Sequence, residues 1–279
     1  MGTLSVDARM KDFYEVRNRH FLTRRTPVII RIDGKAFHTY TRGLDKPFDE
    51  GLIQDMQLTT KYLCENVQGC KFGYTQSDEI SLLLTDYDTL QTEAWFDYCQ
   101  NKIESIGASL ATGRFNQLRM VRGINNSIIS TKNPHIIFED EKYNMIANFD
   151  ARSFNIPIED VCNYFVWRQG DASKNSISML AQSLYSHTEL QNKSGDEKQE
   201  MCFQKGINWN NLPTSQKRGT AIYKQQTKKE LTGKVDVMTL DPLKRWIDDG
   251  RYGVYANEWK IDTETPIFSQ NRELIENLI

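Results

Sequence analysis

Asp33 closes a short β-branched run and is followed by Gly34, while Asp78 sits in the polar loop Thr75-Gln76-Ser77-Asp78 between two alternating runs. Brought together, the two carboxylates would hold a pair of Mg2+ ions about 4 Å apart, the arrangement that two-metal nucleotidyl transfer needs. The Gly34 carbonyl could add a ligand, because a residue without Cβ lets a metal or phosphate approach the chain closely. Taken singly, Asp33-Gly34 also reads as a plain turn and Asp78 as an ordinary hairpin residue.

Around this pair lie further candidates. Glu79 follows Asp78 and would point to the other face of the strand, as a supporting acid or as a solvated residue. Ser77 could offer its hydroxyl or backbone N–H to a phosphate. Lys46, Lys102, Arg152 and Lys198 are the cations available to a triphosphate. Lys102 borders an apolar helical stripe, where its stem can be covered while its ammonium reaches over the sheet edge. The segment Lys35-Ala36-Phe37-His38 directly after the Asp33 turn is placed to border a nucleotide.

Other chemistries find little support. The four histidines have no ligand spacing, there is no GxxxxGK[ST], and the five cysteines include no CxxC pair, so triad, P-loop and zinc readings fall away. Reduced core thiols are expected. With 39% hydrophobic and 26% charged residues, the 279-residue chain has the composition of a globular protein and not of a disordered or membrane one. No apolar run approaches the ~20 residues of a membrane span and no leader is visible, so a cytoplasmic location without a membrane partner is expected. A net charge of −2 argues against avid non-specific nucleic-acid binding. Local phosphate contacts remain open at Arg24-Arg25, Lys217-Arg218 and Lys228-Lys229.

The elements that must position the carboxylates follow from periodicity. Val28, Ile30 and Ile32 predict a strand ending at Asp33-Gly34. Leu52, Met56, Leu63 and Val67 predict a helix of about 17 residues capped by Asp49. Cys70, Phe72 and Tyr74, then Ile80, Leu82 and Leu84, predict a hairpin with Asp78 at its tip. Trp95, Cys99, Ile103, Ile106 and Leu110 predict a second helix. An irregular stretch through Asn133 and Pro134 precedes a strand over Met145, Ala147 and Phe149 that ends at Asp150.

This order, βαββαβ, is that of an α+β ferredoxin-like unit, with both helices on one face of an antiparallel sheet, as in the polymerase and cyclase palm. The first strand is expected beside the first hairpin strand, so that Asp33 and Asp78 converge. Residues 1–152 are assigned to this palm-like core. Residues 153–279 form an appended, mostly helical region, with helices over Ile158 to Arg168 and Ile177 to Tyr185, a polar stretch from Gln191 to Lys198 and a strand at Thr220 to Tyr223.

The strings RIDGKAFHTYTRG from Arg31, GYTQSDEISLL from Gly73 and FVWRQGDASKNS from Phe165 together resemble the tRNA-histidine guanylyltransferase superfamily of reverse polymerases. The match continues through EKQEMCFQKGINWNNLP, QKRGTAIYK and WKIDTETPIFSQ, covering most of the chain. The resemblance implies a palm-fold nucleotidyltransferase that adds nucleotides 3′ to 5′ onto the 5′ end of tRNA, with two Mg2+ ions and with ATP and GTP or other nucleoside triphosphates as substrates. Its metal ligands fall on Asp33, the Gly34 carbonyl and Asp78, and its nucleotide contacts on Ser77 and Glu79. Its triphosphate ligands fall on Lys46, Lys102, Arg152 and Lys198. A homotetramer that assembles a tRNA surface from several subunits is implied as well.

One segment departs from the family pattern. Eukaryotic members carry His-Ile-Asn-Asn after the WRQ-x-Asp run, whereas Asp171 here is followed by Ala172, Ser173, Lys174, Asn175 and Ser176, which keeps only Asn175. The departure resembles the guanylyltransferase-like branch, which repairs 5′-truncated tRNA by templated addition. Dedicated guanylylation of tRNA-histidine, a nucleotide cyclase and a silent RNA-binding module are the alternatives.

Overall fold

A computed structural model of the chain describes residues 4–130, 145–231, 245–248 and 251–279. Its centre is one seven-stranded antiparallel sheet in the order β4-β1-β3-β2-β5-β7-β6. The strands are β1 (Val28–Gly34), β2 (Cys70–Gln76), β3 (Glu79–Leu84), β4 (Phe149–Asn155), β5 (Thr220–Glu230), β6 (Arg245–Asp248) and β7 (Arg251–Asp262). The helices are α1 (Val6–Met10), α2 (Phe37–Tyr40), α3 (Glu50–Asn66), α4 (Gln100–Ser130), α5 (Ile158–Leu184), α6 (His187–Leu190), α7 (Gly195–Gln204), α8 (Thr214–Arg218) and α9 (Glu273–Glu276).

Both faces of the central strands are covered, which explains why β1 and β3 are apolar throughout apart from a few positions near the site. Val28, Ile30, Ile32, Leu82 and Leu84 pack against Met56 and Leu63 of α3 and Ile103, Ala111 and Phe115 of α4. Ile29, Phe72 and Leu83 face the other way, onto Val161 and Phe165 of α5. Each such aliphatic side chain contributes about 1.5–3 kcal/mol by leaving water. Glycine at position 73 lets α3 come close, since a Cβ there would lie 2.5 Å from Cys64 Sγ.

The predicted strand-helix-hairpin core is present, including the 17-residue α3, whose Asp49 cap accepts the Leu52 N–H at 2.7 Å. Several expectations are corrected. β1 pairs with β3, the second hairpin strand, and not with the first; the crossover through α3 leaves a gap that β3 fills. Trp95 lies in a separate 3-10 turn (Trp95–Tyr98), because Phe96 and Asp97 adopt left-handed φ values, so the second helix starts only at Gln100. Its buried stripe runs through Ile103, Gly107, Ala111 and Phe115, leaving Ile106 exposed. β4 begins at Phe149, where the predicted strand was to end, and the two helices expected after it are one 27-residue helix, α5. The irregular stretch at Asn133 and Pro134 lies outside the described residues.

The region after residue 152 is less purely helical than expected, for it adds three strands to the same sheet. Residue 152 itself lies within β4, and β5 pairs directly with β2. The polar stretch from Gln191 to Lys198 is a turn leading into α7, which Ser194 and Glu197 open with reciprocal capping bonds. No described helix is long and apolar enough to cross a membrane.

Candidate active site

The hairpin turn brings the two carboxylates to one edge. Asp33 lies opposite Glu79 in the β1–β3 ladder, and the Gly34 N–H donates to the Asp78 carbonyl at 3.1 Å. Ser77, the first turn residue, takes a left-handed φ of 51°. Gly34 cannot be replaced without displacement beneath it: a Cβ would fall 2.2 Å from the Phe37 ring. That ring is buried among Tyr40, Phe115 and Phe149, with centroids 4.9, 5.8 and 5.2 Å away.

Beside this edge opens a cleft of about 580 Å³. Gly34, Ala36, Phe37, His38, Lys46, Ser77, Asp78 and Asn175 line it, so eight of the sequence-predicted residues share one cavity. Lys46 is exposed there, on the loop before α3. Asp33 is half-buried directly behind Gly34 and is not itself in the lining. Burial pushes the Asp78 carboxyl above the usual carboxylate range, and the negative charge of Asp33 adds to the rise, partly offset by hydrogen bonds from its own turn.

Other predicted residues lie elsewhere, each for a definite reason. Glu79 points away from the cleft and is buried on the α5 face, where Arg168 Nη1 donates to both of its oxygens at 3.0 and 2.8 Å and Arg31 Nη2 donates at 2.5 Å. Strand alternation dictates this, since Glu79 already belongs to β3. Lys102 is on the first turn of α4, over the Phe96 ring at 5.8 Å, whereas α4 meets the Asp33 end of the sheet through Thr112 and Asn116. The ten residues from Lys102 to Thr112 span about 15 Å of helix, which removes Lys102 from the cleft. Arg152 lies opposite Arg31 on the α5 face, exposed, 3.5 Å from Asp150. Lys198 donates to Ser178 Oγ at 3.4 Å and lines a different hollow. Lys35 is exposed, its N–H bonded to the Asn148 carbonyl at 2.8 Å, and it is outside the lining.

The proposed RNA contacts are engaged within the chain. Arg24 donates to Asp86 at 2.5 Å and to Asp97 at 2.8 Å, and the Arg25 N–H donates to Asp86 at 2.8 Å. Lys217 bonds the Asn210 carbonyl at 2.6 Å and Arg218 the Thr265 carbonyl at 3.2 Å. Lys228 lies over the Trp246 ring, and Lys229 pairs with Glu258.

Arg31 and Arg168 carry weight that the site reading missed. The signal was present for Arg31, which interrupts the apolar run Val28 to Ile32, and Glu79 offered the matching buried acid. Ser215 and Gln216 of α8 also reach the cleft from a distant part of the chain, which no local pattern announces. Among the described residues, no group of three or more His, Cys, Asp and Glu side chains is gathered as a metal site.

Comparison with known proteins bears on this arrangement. Residues 7–157, more than half of the chain, match the sequence profile of the tRNAHis guanylyltransferases, Thg1. The chain belongs to the tRNAHis guanylyltransferase family. A bacterial tRNA(His) guanylyltransferase (Thg1)-like protein, solved in complex with ATP, is 39% identical to it over 99% of both chains, with a TM-score of 0.77. A bacterial Thg1-like structure in complex with GTP superimposes with a TM-score of 0.73, also at 39% identity. A probable tRNA(His) guanylyltransferase from Dictyostelium discoideum is 27% identical over 220 residues, which cover 73% of this chain and 78% of that protein. Within the guanylyltransferase family, then, this chain presents a carboxylate-edged cleft built from β1, the hairpin turn, α5 and α8.

Proposed function

We propose that the chain is a Mg2+-dependent nucleotidyltransferase that adds nucleotides 3′ to 5′ to the 5′ end of tRNA, as templated repair of truncated ends. The tie between the Gly34 N–H and the Asp78 carbonyl carries this reading, because it brings Asp33 and Asp78 to the rim of a nucleotide-sized cleft. Family membership supports the acceptor, tRNA, and the bacterial ATP and GTP complexes support nucleoside triphosphates as substrates. In this reading residues 1–152 form a ferredoxin-like palm, consistent with the order β4-β1-β3-β2, and the rest supplies the α5 and α8 walls. A homotetramer is part of the proposal.

The donor set fits magnesium. Asp33 and Asp78 are hard oxygen ligands, and a divalent cation would relieve the burial and mutual repulsion that hold Asp78 protonated to higher pH. With only two carboxylates, the remaining positions would fall to the Gly34 carbonyl, water and the triphosphate, as Mg2+ prefers. When bound, the ions lower the pKa of the attacking oxygen and neutralise the leaving one.

The chain's own residues bind and orient. The Gly34 and Lys35 N–H groups are already bonded within the protein, so phosphate contacts pass to the Ser77 hydroxyl and to Lys46, a point charge on the cleft wall. Asn175 and Gln216 offer amides to the base or ribose from the α5 and α8 sides. In-line phosphoryl transfer needs this positioning and charge neutralisation and no covalent nucleophile.

The test is incubation with Mg2+, nucleoside triphosphates and an internally labelled tRNA lacking its first nucleotide. Extension by the nucleotide complementary to the opposing base is expected. Template-independent addition of guanosine from GTP to tRNA-histidine alone would favour dedicated guanylylation, the reading that the named relatives favour. A cyclic product from triphosphate without RNA, or no product at all, would overturn the proposal.

A further inference from the structure

α5 has two flanks beyond the sheet. One, with Ala172, Asn175, Ser176 and Met179, lines the cleft. The adjacent one advances by three and four residues through Trp167, Asp171, Lys174, Ser178 and Gln182, a stripe about 22 Å long.

Trp167 begins this stripe and is the only exposed one of the five tryptophans, at 53% exposure. Its ring is nonetheless held in place. The Arg168 guanidinium lies 3.7 Å from the ring centroid, and Tyr164 meets the ring edge-on at 5.9 Å. Arg168 is in turn fixed by Glu79, the neighbour of Asp78. An open aromatic face is thus immobilised through two residues that connect it to the carboxylate edge, which is what a base-stacking platform requires.

Cations and polar groups continue the stripe. Lys174 has an 80% exposed side chain and, among the described residues, pairs only loosely, at 3.9 Å, with Asp171, whose charge is already met by Arg168. Lys198 joins at Ser178 and, with Gln182, His187, Leu190 and Asn192, lines a hollow of about 250 Å³. No aliphatic residue interrupts the sequence of positions, so a second copy of the chain would bury little apolar surface here beyond Trp167 itself. A nucleic-acid strand matches it better: a ring for a base, then spaced ammonium groups for phosphates.

Resting on the nucleotidyltransferase reading above, we propose that this flank of α5 is the track for the RNA strand carrying the 5′ end. The terminal base stacks on Trp167, and successive backbone phosphates meet Lys174 and Lys198. The triphosphate then occupies the cleft on one side of α5 and the acceptor strand the other, with the carboxylate edge between them.

The experiment uses the full chain and a truncated tRNA with 2-aminopurine as its 5′-terminal base. Wild-type protein is expected to quench the fluorophore. Trp167→Ala should abolish the quench and weaken RNA binding by about 5- to 100-fold, Trp167→Phe should fall between, and triphosphate binding in the cleft should stay unchanged. Lys174→Ala, at an exposed position that folding does not depend on, should weaken RNA binding and reduce the salt dependence by about one ion. Quench and affinity unchanged in Trp167→Ala overturn the track. So does a change of sedimentation in that variant with RNA affinity intact, which would make Trp167 a contact between copies. Wild-type protein that binds triphosphate but no tRNA overturns the nucleotidyltransferase reading, and the track with it.

Discussion

Arg168 grips Glu79 at the residue next to Asp78, one guanidinium nitrogen serving both carboxylate oxygens, with Arg31 closing the other side. The acid that follows Asp78 therefore works as an anchor for the hairpin turn. Removing one partner leaves an uncompensated buried charge. Glu79→Gln should cost about 3–5 kcal/mol in denaturant unfolding, and Glu79→Leu combined with Arg168→Met should recover part of it. Turnover should fall in both while the triphosphate KM changes little, because the group lies outside the cleft.

Asp33→Ala and Asp78→Ala should each lower turnover by at least about a thousandfold, about 4 kcal/mol of barrier, and leave the fold and tRNA affinity intact. Steady-state kinetics at saturating Mg2+ decide this. Near wild-type turnover in either variant would remove the carboxylate pair from the chemistry.

The cations divide by position. Lys46→Ala should raise the triphosphate KM about tenfold, the worth of one charge-assisted contact. Lys102→Ala and Arg24→Ala should leave it unchanged, since the first lies about 15 Å of helix away and the second is bound to Asp86 and Asp97. Any KM rise for Lys102→Ala would contradict the placement of α4.

Asp78 also sets a pH dependence with a definite sign. Its folded pKa is raised by burial and by Asp33, so the native state holds this proton more tightly than the unfolded chain does. Stability without metal should therefore fall as pH rises from about 4 through the raised value. Asp78→Asn should lack this component, and Mg2+ should suppress it in the wild type. Thermal melts of both proteins across that range, with and without Mg2+, measure the difference.

Gly34→Ala tests the floor of the site. The added methyl meets the Phe37 ring at 2.2 Å, so either the ring or the strand end must move. A loss of about 1–3 kcal/mol and a collapse of turnover are expected, with calorimetry and kinetics as the readouts. Gly113→Ala, where a Cβ meets nothing within 4 Å, should do neither.

Legibility followed the physics of each element. β1, α3 and the hairpin were readable because each is long enough to repeat its period and has a capped or turning end, as at Asp49 and Ser77-Asp78. α4 misled because Trp95 and Cys99 happen to continue the stripe of Ile103 at helical spacing while Phe96 and Asp97 reverse the backbone. Lys102 lies on the first turn of α4, at the end away from the Thr112 contact with Phe149. The distal parts of β5 and β7 project beyond the helices, so Lys224, Gln225, Gln226, Asn257 and Glu258 face water on both sides and give no alternation. Of the site, the carboxylates and the loop around Lys46 were visible as local strings. The α8 wall and the α5 wall apart from Asn175 were not, because their contributions are set by packing across more than ninety residues.

The pairing of β2 with β5 makes the sheet indivisible. A fragment ending near residue 157 would retain every strand that frames the carboxylates, yet it would leave Phe72 to Thr75 of β2 as an edge with unmet amides and carbonyls. Such an edge recruits other chains, so the truncated protein should assemble into aggregates. The C-terminal strands thus act as a chaperone in cis for the half of the molecule that carries the aspartates.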